Sequence, residues 1–417
     1  MILRDTLLAV LRDPFLPPVP APEVKRELVA GLELRASMAT VLTGVRRCGK
    51  STLQAQLMRR SDAAFYCNFE DTRLFGLGPD DFPSFLSVLD ELSKPNQPVF
   101  LDEVQGAEQW QRLVRALLDR GRAVCLTGSN ASLLGRELGA KLTGRHLSFE
   151  VFPFSYAEYL VFTRKSPGVE SFRGYLDEGG FPVYLRERRD QILQELLRDV
   201  VQRDVAARHD LRETRHVMNL LLFLLANTGQ PFSFQTLTKN LAVPAVGQTS
   251  RYLEFLRDAY LLFAVPKFSA SFRKRVVAPA KYFAIDNGLR RVNSPQAQPD
   301  LGHRLENAVG LHLRRGTPEL HYAGERDLWE CDFITPDAAI QVCLELTPAN
   351  RGRELRGVIE GTRLRGRRRA LVLTLNQTDR LRQEGVEIAV MPAWRWMTKL
   401  RKNFVAQTNP NRFTREQ

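Results

Sequence analysis

Gly44-Val45-Arg46-Arg47-Cys48-Gly49-Lys50-Ser51-Thr52 is the stretch on which the reading of the fold turns. It follows the apolar run Thr40–Thr43 directly and opens a helical pattern over Thr52–Arg60. The spacing G-x-x-x-x-G-K-[ST] between a strand and a helix suits one task above others. Its glycines let the backbone curl so that successive N–H groups point inward at phosphate oxygens. Lys50 then reaches the β- and γ-phosphates, Ser51 ligates Mg²⁺, and the following helix presents its positive end. The expected cofactors are ATP and Mg²⁺.

Outward from the loop, Pro98-Val99-Phe100-Leu101-Asp102-Glu103 is an apolar strand ending in two acids. Alone, such a pair is a strand end meeting solvent. Behind a phosphate loop, Asp102 is placed to hold Mg²⁺ and Glu103 to orient and deprotonate the attacking water. The strand Ala123–Thr127 ends in Gly128-Ser129-Asn130, so Ser129 and Asn130 are candidates to sense the γ-phosphate. Arg145 could neutralise charge on that phosphate in cis, or in trans as an arginine finger. By spacing alone it is one surface arginine among many. With Ala64–Asn68 as a further strand and Gln109–Leu118 as a helix, the order predicts an α/β sheet with crossover helices.

The whole chain has 417 residues, enough for about two to four domains. A 44% hydrophobic and 26% charged composition predicts a globular protein. Apolar runs such as Leu220–Ala226 are far below the roughly 20 residues needed to cross a bilayer, so no membrane association is expected. Met1–Val10 is broken by Arg4 and Asp5, which argues against a secretory signal and for a cytoplasmic protein. Five scattered cysteines without a CxxC pair read as reduced thiols. The formal charge of +13 is uneven: residues 351–417 carry sixteen Lys and Arg against six Asp and Glu. A basic end on a nearly neutral body points either to a polyanion, nucleic acid above all, or to a solvated surface.

The ordered set G-x-R-R-x-G-K-S-T, F-L-D-E-V-Q, L-T-G-S-N-A-S-L-L, L-T-G-R, F-P-F-S-Y-A-E-Y and E-G-G-F-P resembles one known group. It is similar to the AAA+-type ATPases of bacteria and archaea with a C-terminal domain of unknown function. That domain is usually described as related to PD-(D/E)xK nucleases. The resemblance implies an ATPase core, a winged helix and a nuclease-like domain, in that order. It also favours Arg145 as a finger or sensor. By analogy it implies a homo-oligomer, a hexameric ring being one form, with nucleotide between subunits.

The expected division is a helix and Pro-rich connector over 1–22, the ATPase core over 23–155 and a helical lid over 156–209. A winged helix over 210–283, a linker over 284–300 and a basic nuclease-like domain over 301–417 follow. In the fourth segment, Val217–Asn227 is an apolar helix, Ser233 caps Phe234–Leu241, and Gly247–Asp258 is the recognition-type helix. Arg251, Arg257 and the wing-tip residues Arg273, Lys274 and Arg275 are candidate phosphate contacts, as are Arg367, Arg368 and Arg369. The partner so expected is DNA, duplex or branched, remodelled or translocated by the ATPase. The alternatives are a nucleotide-controlled switch with a protein or RNA partner, and an ATP-gated nuclease.

The nuclease alternative needs acids for metal and a lysine to activate water. Glu306 and Asp332 match the resemblance. Gln341 stands at the second acidic position and Cys343 at the lysine position. A cysteine cannot replace an ammonium, so a retained fold with a degraded site, used for binding or assembly, is the expectation.

Overall fold

The computed structural model describes residues 1–13, 24–129, 142, 144–269, 271, 278–294, 301–317, 319–325, 327–365 and 369–398. Asn130, Arg273, Lys274, Arg275, Arg367 and Arg368 therefore lie outside the described residues. The chain forms two compact units, one built on Met1–Phe152 and the other beginning at Pro153.

The first unit is a parallel sheet of strands β1 (Ala39–Thr43), β2 (Phe65–Asn68), β3 (Val99–Asp102), β4 (Val124–Gly128) and β5 (His146–Glu150), in the order β2-β3-β4-β1-β5. Every residue of β1, β3 and β4 is buried, as expected for strands covered on both faces by crossover helices. The helix Trp110–Asp119 shows how the cover is made. Its buried Trp110, Leu113, Val114, Leu117 and Leu118 recur at helical spacing and form one apolar stripe. The N-terminal helix Arg4–Arg12 joins this core through Leu7, Val10 and Leu11 rather than standing apart. Central to the unit is Gln54, on the helix Lys50–Met58. It is fully buried and donates to the carbonyls of Leu101 and Cys125, 3.2 Å from each.

The second unit starts with helices Tyr156–Thr163, Val169–Glu178, Pro182–Glu187 and Asp190–Asp199. Ser155 and Glu158 form a reciprocal cap at the first of them, at 3.1 and 2.9 Å. Helices Arg215–Ala226, Phe234–Asn240 and Val246–Asp258 follow, with a small antiparallel sheet of β6 (Pro231–Phe232), β7 (Leu262–Val265) and β8 (Ala280–Ala284) in the order β6-β8-β7. The Ser233 hydroxyl accepts from the Thr236 N–H, as the cap reading requires.

Six further strands complete it: β9 (His321–Glu325), β10 (Trp329–Ile334), β11 (Ala338–Val342), β12 (Arg369–Thr374), β13 (Asp379–Gln383) and β14 (Val386–Pro392). They run in the order β13-β14-β12-β11-β10-β9, with β11, β12 and β14 parallel. The helix Arg351–Arg365 lies on this sheet, its Leu355, Val358 and Ile359 in the core with Cys331 and Val372.

Two expected boundaries need correction. Residues 284–294 are not a linker: β8 runs to Ala284, and Asp286 caps the helix Asn287–Asn293 by accepting from Leu289 N–H at 2.8 Å. Asp286 also accepts from Gly180 N–H at 2.6 Å, and its burial pushes the carboxyl up to about 6. Nor do the three-stranded and six-stranded sheets stand apart as separate bodies. Phe268 N–H donates to Tyr322 O at 2.7 Å, and Tyr322 N–H to Pro266 O at 3.1 Å.

Candidate nucleotide site and a second charged cluster

The phosphate loop follows the C-terminal end of β1, where a parallel sheet offers its ligand crevice. Gly44, Arg47 and Gly49 have φ of 141°, 62° and 103°. A Cβ on Gly44 would run into the Val151 carbonyl, so the first glycine is required by space as well as by angle. Lys50 is buried and donates to the carbonyls of Gly44 and Val45 at 3.0 and 3.2 Å. Its ammonium thus lies across the mouth of the curled loop. Cys48 is fully buried in the loop, and burial raises its thiol pKa. Val45 is buried too, while Arg46 approaches Glu70 at 3.8 Å and Arg47 is exposed. Thr52 occupies the first turn of the helix with Lys50 and Ser51.

Asp102 ends β3 beside this loop, and the Ser51 hydroxyl hydrogen-bonds to it. Its Oδ2 accepts from Tyr66 Oη at 2.9 Å, and its Oδ1 from the Thr127 hydroxyl. Burial raises the Asp102 carboxyl pKa, opposed by those three hydroxyls. Glu103 is half-buried at φ 49°, its N–H donating to Thr127 Oγ1 at 2.9 Å and its carboxylate accepting from Gln105. Thr127 therefore sets both acids at once. Sequence reasoning looked two and three residues further on, to Ser129 and Asn130, and missed it. The signal was there in a hydroxyl closing an apolar strand. Ser129 is buried, and Asn130 lies outside the described residues.

Arg145 is not brought to the phosphate loop. It precedes β5 at the end where Ala39 pairs with His146, whereas the loop leaves β1 after Thr43. Five strand residues, about 16 Å, separate the two ends of the sheet. Its guanidinium is 2.5 Å from Asp119 Oδ1. A cis sensor role is excluded by that placement.

The end-domain candidates do converge. Glu306 on the helix Leu301–Gly316 and Asp332 on β10 face the same point. That point is filled by Lys281 of β8, whose Nζ is 3.0 Å from Glu306 Oε1, 3.2 Å from Asp332 Oδ1 and 2.8 Å from Glu330 Oε1. Burial opposes the Lys281 charge, but the three carboxylates outweigh it and hold its pKa well above the ordinary value. Burial likewise pushes Glu306 up to about 8 and raises Asp332. Beside a single ammonium, burial thus favours the neutral form of Glu306 and of Asp332.

Gln341 is turned into hydrogen bonding instead, donating to Glu354 Oε2 at 2.8 Å. Cys343, pushed up to about 12 by burial, is a neutral thiol. The cluster lines an open cavity of about 1470 Å³, rimmed also by Glu325, Glu345, Glu354 and Arg353.

Of the expected DNA contacts, Arg251 and Arg257 are exposed on the helix Val246–Asp258, and Arg369 is exposed at the start of β12. Part of the basic end is neutralised locally. Arg353 meets Glu354 at 2.5 Å, and Arg363 meets Glu360 and Glu384 at 2.7 and 2.8 Å. No helix among the described residues is long and apolar enough to cross a membrane.

Comparison with known proteins agrees with the first unit's geometry. Residues 36–160 match the family model described as an AAA domain, and residues 169–298 match a domain of unknown function (DUF8612). An uncharacterised protein of Methanocaldococcus jannaschii is 29% identical over 400 residues, covering 88% of this chain and 89% of its own. An uncharacterised protein of Haemophilus influenzae is 31% identical over 332 residues, covering 73% of this chain and 82% of its own. With the loop, the two acids and these matches together, the chain carries an AAA domain of the ATPase class and belongs to the same family as the Haemophilus influenzae protein.

Proposed function

We propose that this protein is an ATP-hydrolysing machine whose second unit engages DNA and whose turnover remodels or moves along it as an oligomer. The observation that carries the ATPase part is the convergence of Lys50, Ser51, Asp102, Glu103 and Thr127 at one end of the parallel sheet. Ser51 and Asp102 are neighbouring hydroxyl and carboxylate oxygens, the hard donors that suit Mg²⁺. They would hold the ion, which when bound supplies charge neutralisation on the β- and γ-phosphates. Lys50 moves from its carbonyl partners to the phosphates. Glu103, held by Thr127 and Gln105, accepts the proton of the attacking water.

The DNA part is supported by exposed Arg251, Arg257 and Arg369 and by the positive charge of the last segment. ATPase rates with and without single-stranded, duplex and four-way DNA test it, together with gel shifts titrated against salt. Binding that weakens steeply with salt and speeds hydrolysis is expected. DNA-insensitive hydrolysis with no shift would sink this part and leave the ATPase.

A second reading, a nucleotide-controlled switch with a protein partner, is favoured by the acidic cavity. Its carboxylates suit basic side chains better than phosphates. Cleavage of DNA is the weakest alternative, because the Lys281 ammonium already holds the acids a metal would need.

A further inference from the structure

The segment just before the AAA match, ahead of β1, is fastened to the phosphate loop by one buried arginine. Arg26 is 5% exposed. Its Nη1 donates to the Cys48 carbonyl at 2.9 Å and its Nη2 to the Phe152 carbonyl at 2.6 Å. The guanidinium also lies against Gly49: a Cβ there would come within 2.7 Å of Nη1. The backbone around it is stitched to the helix that the loop opens into. Arg26 N–H donates to Gln56 Oε1 at 3.0 Å, and Gln56 Nε2 donates to the Val24 carbonyl at 2.8 Å.

The geometry points to Arg26 as a positioning residue of the phosphate loop, setting the aim of the Gly49 N–H. This inference rests on the ATPase reading and deepens it. A trans peptide is planar, with its C=O and N–H pointing in opposite directions. The Cys48 carbonyl is drawn out towards Arg26, so the Gly49 N–H of the same peptide is turned away from Arg26. That N–H is one of the donors a phosphate cradle uses. Gly49 has φ 103°, a conformation glycine adopts freely, so the peptide is easily turned unless something outside holds it. Arg26 supplies the hold, and the second bond to Phe152 O fixes the guanidinium plane. An arginine serves here because a planar fork can take two carbonyls at once, whereas a lysine supplies a single point of attachment.

The test is titration of the full chain with ATP and ADP in wild type, Arg26→Met and Arg26→Lys, with thermal unfolding of each and steady-state ATPase kinetics. Arg26→Met is expected to weaken both nucleotides by at least about tenfold, the scale of one lost charge-assisted hydrogen bond. Turnover at saturating ATP is expected to stay within about threefold, since the acids are untouched and the loss is one of binding. Arg26→Lys is expected to recover part of the affinity. Wild-type affinity in a folded Arg26→Met protein overturns the inference. So does a loss equal in both variants that follows their unfolding, because that marks a purely structural arginine. Wild-type protein that binds no nucleotide, with Lys50→Ala no different, instead brings down the ATPase reading and this inference with it.

Discussion

Lys281 Nζ lies 3.0 Å from Glu306 Oε1, across 25 residues of sequence, and binds β8 of the small sheet to the helix that precedes the six-stranded one. With Glu330 and Asp332 on β10, the pair makes a charged hinge-pin between segments that composition and spacing had assigned to different domains. The cation at this cluster comes from β8 and not from the position after β11, where Cys343 stands. What it does there is hold carboxylates.

Lys281→Met is expected to destabilise the second unit by about 3 kcal/mol or more, because it leaves buried carboxylates without their cation. Chemical denaturation checks this, with Lys50→Ala as a control whose substitution lies in the other unit. A shift below the usual scatter of surface substitutions, about 0.5 kcal/mol, would refute the assignment.

Glu306 should also leave a signature in pH. Its folded pKa of about 8 stands above the ordinary value of 4.5, so the folded protein binds the proton more tightly than the unfolded chain. Stability contributed by the protonated form is present below about 4.5 and is lost as pH rises towards 8. Denaturation midpoints measured across that range should fall with pH, and Glu306→Gln should flatten the slope.

Thr127→Val removes the hydroxyl that ties Asp102 Oδ1 to the Glu103 N–H. Turnover should drop by about 10- to 100-fold, the usual cost of losing a partner that orients a reacting group. ATP affinity should change far less, and Thr127→Ser should restore most of the rate. A Val variant with normal kcat would show that the acids hold themselves.

Lys50→Ala should abolish ATP binding, whereas Glu103→Gln should bind ATP and stop turning it over. Equilibrium binding alongside phosphate release separates the two. Unchanged hydrolysis in both would remove the site from consideration.

Arg145→Ala should leave ATP affinity unchanged, since its side chain faces Asp119 at the far end of the sheet. Titration against wild type decides this.

What could be read before folding was local. The loop, its flanking strand and helix, and the acids closing β3 each occupy a few adjacent residues, and their chemistry is visible in that order. Arg145 misled because β5 is a half-buried edge strand of mixed polarity, His146 to Glu150, without the apolar run that marks its neighbours. Unseen as a strand, it gave no clue that the arginine sits at its start. Lys281 and Arg26 were illegible for another reason. Each acts on partners 22 to 126 residues away, and nothing in their own surroundings distinguishes them from surface cations. Glu306 and Asp332 were found, but their partner could be found only in three dimensions.

Gln54 gives the nucleotide end its calibration. One amide group, a turn along the helix from Lys50, is engaged with two adjacent strands, one residue before Asp102 and two before Thr127. Rolling or sliding that helix by even a fraction of a turn would take both acceptors away from the buried Gln54 amide in a dry interior. The spacing from lysine to acid is therefore gauged from beneath, against the strands, as well as by the loop above. A loop can flex to admit or release a phosphate while the ruler under it stays put.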